Sequence, residues 1–411
     1  MTFNKWTVAL AAAGVVSIAS VKAEEQHQLM TALSSTTISG YVESSAIWEP
    51  GTDNTNAGGA LHRQNAGIPG RVFDGSPDKL DGFNLHTVKL VIEKPLDEGQ
   101  WSAGYKADLV FGPDSQFYNN AIRNGGSQGV DDFAIKQAYV ALRAPVGNGL
   151  DVKLGVWDTI IGYEVFDSGS NPNFSRSFGF AIEPTHHTGV LASYKINDMF
   201  TAQGGVANAI NGGINDRAAS DTDKTYLGSL TITLPESTGA VAGTAIYVGG
   251  IYGHTGVATA GGAFLAPTTS LYAGATVNTG LKGLAVGAAY DWRHNGATGF
   301  SGAPFAAGNH NDLSVGALYV TFAATEKLKL AARAEYLTGS DGTFFDNGTA
   351  GIADKRNKLG EITFTADYSL WANVITRGEV RWDHGFNGHP YGGTDSARNA
   401  VTLAADLIYK F

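Results

Sequence analysis

The sequence predicts an all-β fold, a closed antiparallel transmembrane β-barrel of about sixteen strands. From residue 36 onwards, polar and apolar side chains alternate with a period of two, which is the period of a β-strand. The connections between these runs alternate between short and long. The composition agrees, because 54 of the 411 residues are glycine and only 16% are charged, whereas about 25% is usual for a soluble domain.

Composition also excludes several classes of function. The chain contains no cysteine, so it has neither disulfides nor a cysteine-based metal or redox site. Its formal net charge of -10 argues against a nucleic-acid partner, because binding to phosphates is driven by positive charge.

The N-terminus has the pattern of a secretory signal peptide over residues 1–23. Lys5 supplies the positive charge, residues 8–18 form a short apolar run, and Val21-Lys22-Ala23 places small residues where a signal peptidase requires them. The run is too short for a membrane anchor, which needs about 20 apolar residues. We therefore expect a signal peptide (1–23), a periplasmic lead-in (24–35) and a barrel (36–411).

The strands are identified from their two faces. Leucine, alanine and tyrosine side chains occupy one face of the run 326–337, and the other face carries Lys327, Lys329, Arg333 and Glu335. Each predicted strand is long enough to cross a bilayer, which takes about 9–11 tilted residues. The predicted strands cover residues 36–48, 84–94, 100–111, 133–144, 149–157, 187–197, 200–209, 224–234, 241–253, 269–279, 283–293, 312–323, 326–337, 358–370, 373–383 and 398–411.

The connections distinguish a membrane barrel from a soluble β-sandwich or propeller, in which strict alternation of loop length has no cause. Outer-membrane barrels have tight periplasmic turns and longer extracellular loops. The short connections include 95–99, 145–148, 197–199, 279–282 and 324–325. The long ones lie near 49–83, 112–132, 158–186, 210–223, 254–268, 294–311, 338–357 and 384–397.

Aromatic residues at the strand ends agree with this topology. Six tryptophans lie close to predicted strand ends, as expected of the aromatic girdles at the two membrane interfaces: Trp48, Trp101, Trp157, Trp292, Trp371 and Trp382. The last strand is amphipathic and ends at Phe411. That ending resembles the sorting signal of bacterial outer-membrane proteins.

A barrel of sixteen strands leaves an aqueous channel, whereas side chains fill the interior at about eight strands. The polar faces would line this channel, because an arginine or lysine facing lipid at mid-membrane costs roughly 2–4 kcal/mol. The predicted pore wall therefore contains Lys106, Lys153, Arg333, Glu335, Arg377, Glu379 and Arg381.

The third long loop, residues 158–186, is unusually apolar for a surface loop, and we expect it to fold into the lumen and narrow it. Its charged residues would form the constriction: Asp158, Glu164, Asp167, Arg176 and Glu183. Acidic loop residues opposite basic wall residues such as Lys153, Arg333, Arg377 and Arg381 would create a transverse field that sorts solutes by charge. The alternatives are an extracellular loop packed on its neighbours and a subunit contact.

Several segments resemble the family of OmpL-like outer-membrane β-barrel porins. They are Leu154-Gly155-Val156-Trp157-Asp158-Thr159-Ile160-Ile161-Gly162-Tyr163-Glu164, residues 171–177, residues 38–43 and residues 188–194. The resemblance covers most of the chain after the signal peptide. It implies a porin in the bacterial outer membrane, with lipid and small hydrophilic solutes and ions as partners. By analogy with general porins it also implies a constricting third loop and a homotrimer, although the Pro-Glu-Phe-Gly-Gly turn usual in that loop is absent here.

Other functions remain as alternatives. A saccharide-specific channel would use an aromatic track, which the third loop could supply from Tyr163, Phe166, Phe174, Phe178 and Phe180. A receptor or adhesin role for the loops ranks below it. A hydrolase built on His186, His187 and Ser193, with Ser175 or Ser177 as nucleophile, lacks a Gly-x-Ser-x-Gly motif, so no enzyme is expected.

No cofactor is expected. Two clusters of aspartates in the loops could hold a structural Ca²⁺, although neither matches the EF-hand pattern: Asp216, Asp221 and Asp223, and Asp74, Asp78 and Asp81. Because the chain is acidic overall, a weak preference for cations is expected.

Overall fold

The computed structural model describes residues 35–50, 82–99, 101–118, 133–210, 214–215, 217–218, 222–254, 267–295, 311–340, 356–391 and 397–411. The predicted signal peptide, nearly all of the lead-in and the first aspartate cluster (Asp74, Asp78 and Asp81) lie outside the described residues.

The described residues form a closed antiparallel barrel in which each strand pairs with its neighbours in sequence and β1 pairs with β16. This arrangement confirms the predicted fold class. Closure pairs the backbone groups of every strand, as a sheet in lipid requires. The strands are β1 (Thr37–Trp48), β2 (Gly82–Lys94), β3 (Ser102–Phe111), β4 (Phe133–Ala144), β5 (Leu150–Asp158), β6 (His186–Lys195), β7 (Phe200–Ala207), β8 (Thr225–Thr233), β9 (Ala245–Gly253), β10 (Thr268–Asn278), β11 (Leu284–Asn295), β12 (Asn311–Ala323), β13 (Leu328–Gly339), β14 (Asn357–Trp371), β15 (Val374–Gly385) and β16 (Asn399–Lys410).

The connections alternate between short and long around the barrel, as predicted. β14 and β15 are joined by two residues, 372–373, whereas residues 159–185 join β5 to β6. The least regular short connection joins β8 to β9 and contains a 3-10 helix, Glu236–Val241, so β9 begins at Ala245 and not at residue 241 as predicted.

The third long loop, residues 159–185, contains its own short helices. These are a 3-10 helix, Ser168–Ser170, and a five-residue α-helix, α1 (Phe178–Ile182). Ser177 caps α1, because its side chain accepts a hydrogen bond from the backbone N–H of Phe180 at 3.0 Å. A further 3-10 helix, Pro113–Phe117, follows β3. No helix among the described residues has the length and apolar character needed to span a membrane.

The strand register aligns the charged residues of neighbouring strands on the inner face. Arg333 of β13 lies opposite Thr363 of β14, which lies opposite Arg381 of β15. Glu335 and Glu361 form the next row, and the inner face of β13–β16 therefore carries most of the wall charges.

The outer face is apolar and aromatic. Trp48, Trp101 and Trp371 are exposed near strand ends, as expected of side chains at a membrane interface. The prediction for Trp157 was wrong, because this side chain is only 1% exposed and packs inside the barrel with Leu191. A position near a strand end does not specify a face, and the parity of β5 turns Trp157 inward.

Candidate functional site

The third loop lies against the inner face of the barrel. Its backbone and side chains contact inward-facing residues of β2, β4 and β11 to β16, and its apolar side chains are largely buried. A loop with this apolar content gains by leaving water, and the inner wall offers charged groups that bind the loop's backbone.

Arg333 is the central contact between wall and loop. Its Nε donates to Oε1 of Glu361 at 2.7 Å on the neighbouring strand. Its Nη1 donates to Oε1 of Glu164 at 2.7 Å and to the carbonyl oxygen of Ser175 at 2.8 Å. Because the planar guanidinium has five donors in a fixed geometry, one side chain binds two separate points of the loop.

Arg381 binds the same part of the loop from β15. It pairs with Asp383 at 2.8 Å, and its Nη1 donates to the carbonyl oxygen of Arg176 at 2.7 Å. The guanidinium carbon lies 5.4 Å from the ring centroid of Phe178, at the start of α1. This is a cation–π distance, so the arginine also fixes the position of the helix.

Arg377 repeats this arrangement closer to the other end of the barrel. It pairs with Asp406 of β16 at 2.6 Å and donates from Nη1 to the carbonyl oxygen of Ser168 at 2.8 Å. Arg333, Arg377 and Arg381 are each at most 3% exposed. All three predicted wall arginines therefore hold the loop and do not face open solvent.

The wall carboxylates bind amide groups of the loop. Glu379 accepts hydrogen bonds from the backbone N–H groups of Phe174 at 2.6 Å and Ser175 at 3.0 Å. Glu335 accepts from the N–H of Phe178 at 2.8 Å, where α1 begins. Two carboxylates thus satisfy backbone donors that would otherwise be buried without a partner.

A second anchor joins the loop to β2, β3 and β4. Lys89 binds Asp167 at 2.6 Å and Asp108 at 3.1 Å, and Lys136 pairs with Asp158 at the end of β5. Burial by itself raises the pKa of Asp167, but the charges of Lys89 and Lys136 outweigh it and lower that pKa. The carboxylate is the more exposed member of both loop pairs, with Asp158 at 39% against Lys136 at 2%.

Glu183 lies where the loop returns to β6. It is buried, and burial together with the neighbouring Asp291 raises its pKa well above the usual range. Nearby, Arg293 donates from Nη1 to the carbonyl oxygen of Ile182 at 2.8 Å. Glu183 thus favours the neutral carboxyl form in this position.

Two of the predicted wall residues do not contact the third loop in the recorded ion pairs. Lys106 pairs with Glu93 at 3.2 Å, and Lys153 lies 4.7 Å from the ring centroid of Tyr139. The remaining predicted charges meet as direct contacts, as Glu164 does with Arg333. These buried pairs leave no water-filled gap between the acids of the loop and the wall arginines, which the predicted transverse field would require.

The predicted aromatic track is likewise not available to a solute. The four phenylalanines of the loop are between 0% and 8% exposed: Phe166, Phe174, Phe178 and Phe180. Tyr163 is partly buried and stacks on Tyr319 of β12 with ring centroids 4.1 Å apart. Their apolar surface packs the loop against the wall.

A cavity of about 310 Å³ lies between the loop and the inner face of β7–β10. Its wall side is polar and uncharged, and sequence reasoning missed it because it carries no conspicuous charge. Among the residues that line it are Gln203, Ser229, Thr231, Tyr247 and Tyr272. The alternation of β7, β8 and β10 carried the signal, since these residues occupy the face opposite the apolar one.

The residues of the hydrolase alternative have structural partners. Ser175 accepts a hydrogen bond from Arg333 at 3.2 Å, and the Ser177 hydroxyl caps α1. In the part of the chain that the structure describes, no group of three acidic or histidine residues could hold a metal ion. Asp216 and Asp221 of the second predicted calcium cluster lie outside the described residues, and Asp223 is 3.9 Å from His254.

Comparison with known proteins identifies a family. The family model described as "Putative beta-barrel porin-2, OmpL-like" matches residues 35–411. No curated protein matches the chain significantly.

Solved structures with a similar fold include three porin barrels. An anion-selective porin from Comamonas acidovorans has 13% identity and a TM-score of 0.56, with 92% of this chain and 99% of that chain covered. OmpF of Salmonella typhi in complex with daunomycin has 11% identity and a TM-score of 0.56, covering 92% and 97%. In-vitro folded OmpT of Vibrio cholerae, in its trimer form, has 11% identity and a TM-score of 0.54, covering 92% and 99%. At these identities the likeness concerns the fold alone.

Proposed function

Since the chain belongs to the OmpL-like putative beta-barrel porin-2 family and is a porin of the bacterial outer membrane, we propose that small hydrophilic solutes and ions diffuse passively through its lumen, along a passage that the third loop narrows. The observation that carries this proposal is the attachment of the loop to the inner wall through Arg333, Arg377 and Arg381. With the loop bound on that side, the passage follows the polar wall of β7–β10.

The exposure of the two sides of the lumen supports this route. The side chains of β13–β15 that bind the loop are buried, whereas Tyr247 of β9 is 40% exposed on the inner face. Gln203 and Thr231 are also partly exposed there. Diffusion needs solvent-accessible polar groups along the path, and β7–β10 provides them.

Planar-bilayer recording tests the narrowing. A variant that lacks residues 164–180 should show a larger single-channel conductance, and neutral polymers of larger radius should enter its lumen. The matched control lacks residues 236–241 of the exposed connection between β8 and β9, and its conductance should stay at the wild-type level. An unchanged conductance after removal of 164–180, in a barrel that still shows heat-modifiable gel migration, would contradict the narrowing.

We further propose that the chain assembles as a homotrimer. The support is the shared fold with OmpT of Vibrio cholerae, which is described in a trimer form. Native mass spectrometry in detergent tests the assembly, and a monomer as the only species would contradict it.

A further inference from the structure

We propose that the cavity between the third loop and β7–β10 is a binding subsite for an uncharged, polyhydroxylated solute with the chemistry of a monosaccharide. The inference rests on the proposed diffusion path, because the cavity lies on it, and goes further by naming the class of solute that is retained there. The volume of about 310 Å³ is at the lower end of the range for ligand pockets, about 300–1,000 Å³.

The wall of the cavity presents neutral groups that both donate and accept hydrogen bonds. Gln203 is held by its neighbours, since its Nε2 donates to Ser193 at 2.9 Å and its Oε1 accepts from Ser229 at 3.2 Å. The register places Gln203 opposite Ser229, and Thr231 opposite Tyr247. These four side chains form a continuous polar surface across β7–β9, and its hydroxyls can pair with solute hydroxyls in either direction.

Apolar surface lies beside these polar groups. Tyr247 is 40% exposed on the inner face, and Ile160, Ile161 and Val165 of the loop line the cavity from the other side. A sugar ring has C–H faces and hydroxyl edges, so it matches a site with an exposed phenol ring and a polar wall. Tyrosine provides both kinds of contact in one side chain.

The charges around the cavity are arranged in a way that favours a neutral solute. No lysine or arginine lines the cavity, and three carboxyl groups do. Glu164 is neutralised by Arg333, and Asp158 by Lys136. The third, Glu183, has a raised pKa because it is buried beside Asp291, so its neutral form is favoured. An anion finds no positive partner here, and a cation finds carboxylates that are already paired.

The cavity is formed before a solute enters. Gly249 of β9 faces the loop, and a Cβ at this position would overlap with the side chain of Ile161. Tyr163 occupies the matching space above Gly287 of β11, and its hydroxyl lies 3.3 Å from Thr276 Oγ1. Glycine at these two wall positions therefore sets the distance between loop and wall, and little ordering is needed on binding.

Current recordings with glucose as the probe test the subsite. In the full-length protein in a planar bilayer, glucose should reduce the ion current in a saturable manner, whereas gluconate and glucosamine at equal concentration should not. The variants Tyr247→Ala and Gln203→Ala should raise the half-saturating glucose concentration by about tenfold each, the effect of losing roughly 1.4 kcal/mol of contacts.

The matched control is Tyr252→Ala, because Tyr252 lies on the same strand and its side chain is exposed on the outer face. This variant should retain the wild-type response to glucose. A current that falls only in proportion to solution conductivity, or saturable block by gluconate or glucosamine in place of glucose, would overturn the subsite while the open-channel conductance still supports diffusion. A chain that folds and conducts no ions would contradict the diffusion path itself.

Discussion

The guanidinium of Arg333 and the carboxylate of Glu164 meet at 2.7 Å, although the two residues are 169 positions apart and neither side chain is exposed to solvent. One lies on the barrel wall and the other near the start of the third loop. Ion pairs of this kind stabilise a particular arrangement mainly because either partner alone would be a buried, uncompensated charge. The position of the loop therefore depends on wall residues far away in sequence.

Replacing Arg333 with alanine should detach the middle of the loop. The change leaves Glu164 and Glu361 buried without their partner, and breaking a buried pair in this way costs about 3–5 kcal/mol. We expect larger conductance, greater current noise and faster cleavage of the loop by protease. The control is Lys195→Ala, which removes an exposed ion pair with Asp198 and should change none of these properties. Wild-type noise and protease resistance in Arg333→Ala would contradict the anchoring role.

Glu379 should be less tolerant of alanine than of glutamine. In Glu379→Ala, the backbone N–H groups of Phe174 and Ser175 lose their acceptor, and each buried unsatisfied donor costs about 1–3 kcal/mol. Glutamine retains one acceptor oxygen, so Glu379→Gln should lose about half as much. Thermal unfolding followed by heat-modifiable gel migration measures the difference. Equal midpoints for the two variants would show that these hydrogen bonds do not stabilise the loop.

The wall of the barrel could be predicted from the sequence because strand geometry is local. Alternation in β13 places Arg333 and Glu335 on one face regardless of what they contact, and the structure puts both on the inner face. The faces of tryptophans were less predictable. Trp371 is exposed and Trp157 is buried, although both lie at strand ends, because the face depends on parity and not on distance from the end.

The contacts of the third loop could not be predicted from the sequence. Its apolar content indicated burial, but the pairing of Arg377 with the carbonyl oxygen of Ser168 depends on the path of the backbone between strands. The sequence suggested acids and bases opposed across open water, and the structure brings them into direct contact. The uncharged wall at Gln203 and Tyr247 was missed because attention to charge favours the wrong side of the lumen.

A weak preference for cations should appear in the reversal potential under a salt gradient. In the two anchoring pairs on the β2–β4 side, the carboxylates face solvent and the lysines are buried, as with Asp158 at 39% and Lys136 at 2% exposure. The variant Asp158→Asn should reduce the preference, because it removes the more exposed charge of its pair. The control Asp198→Asn changes an exposed carboxylate in a short turn and should leave the reversal potential unchanged. Anion selectivity of the wild-type channel would contradict this reading of the exposed charges.

The attachment of the loop at its C-terminal end should weaken as pH rises. Burial, together with the negative charge of Asp291, raises the pKa of Glu183, and Glu164 and Glu335 add to the effect. A carboxyl group whose pKa is higher in the folded chain than in the unfolded chain binds more protons when folded. The free energy of unfolding therefore falls as pH rises from the unfolded pKa through the folded pKa.

The variant Glu183→Gln mimics the protonated form and should remove this dependence. We expect wild-type current noise to increase between about pH 4 and pH 9, a range that starts near the pKa of an unperturbed glutamate, and the variant to stay quiet throughout. Glu236→Gln is the matched control, because Glu236 is exposed in the connection between β8 and β9 and should leave the wild-type pH profile unchanged. If Glu183→Gln keeps the wild-type profile, ionisation of Glu183 does not loosen the loop, and the pH dependence arises from the wall carboxyls.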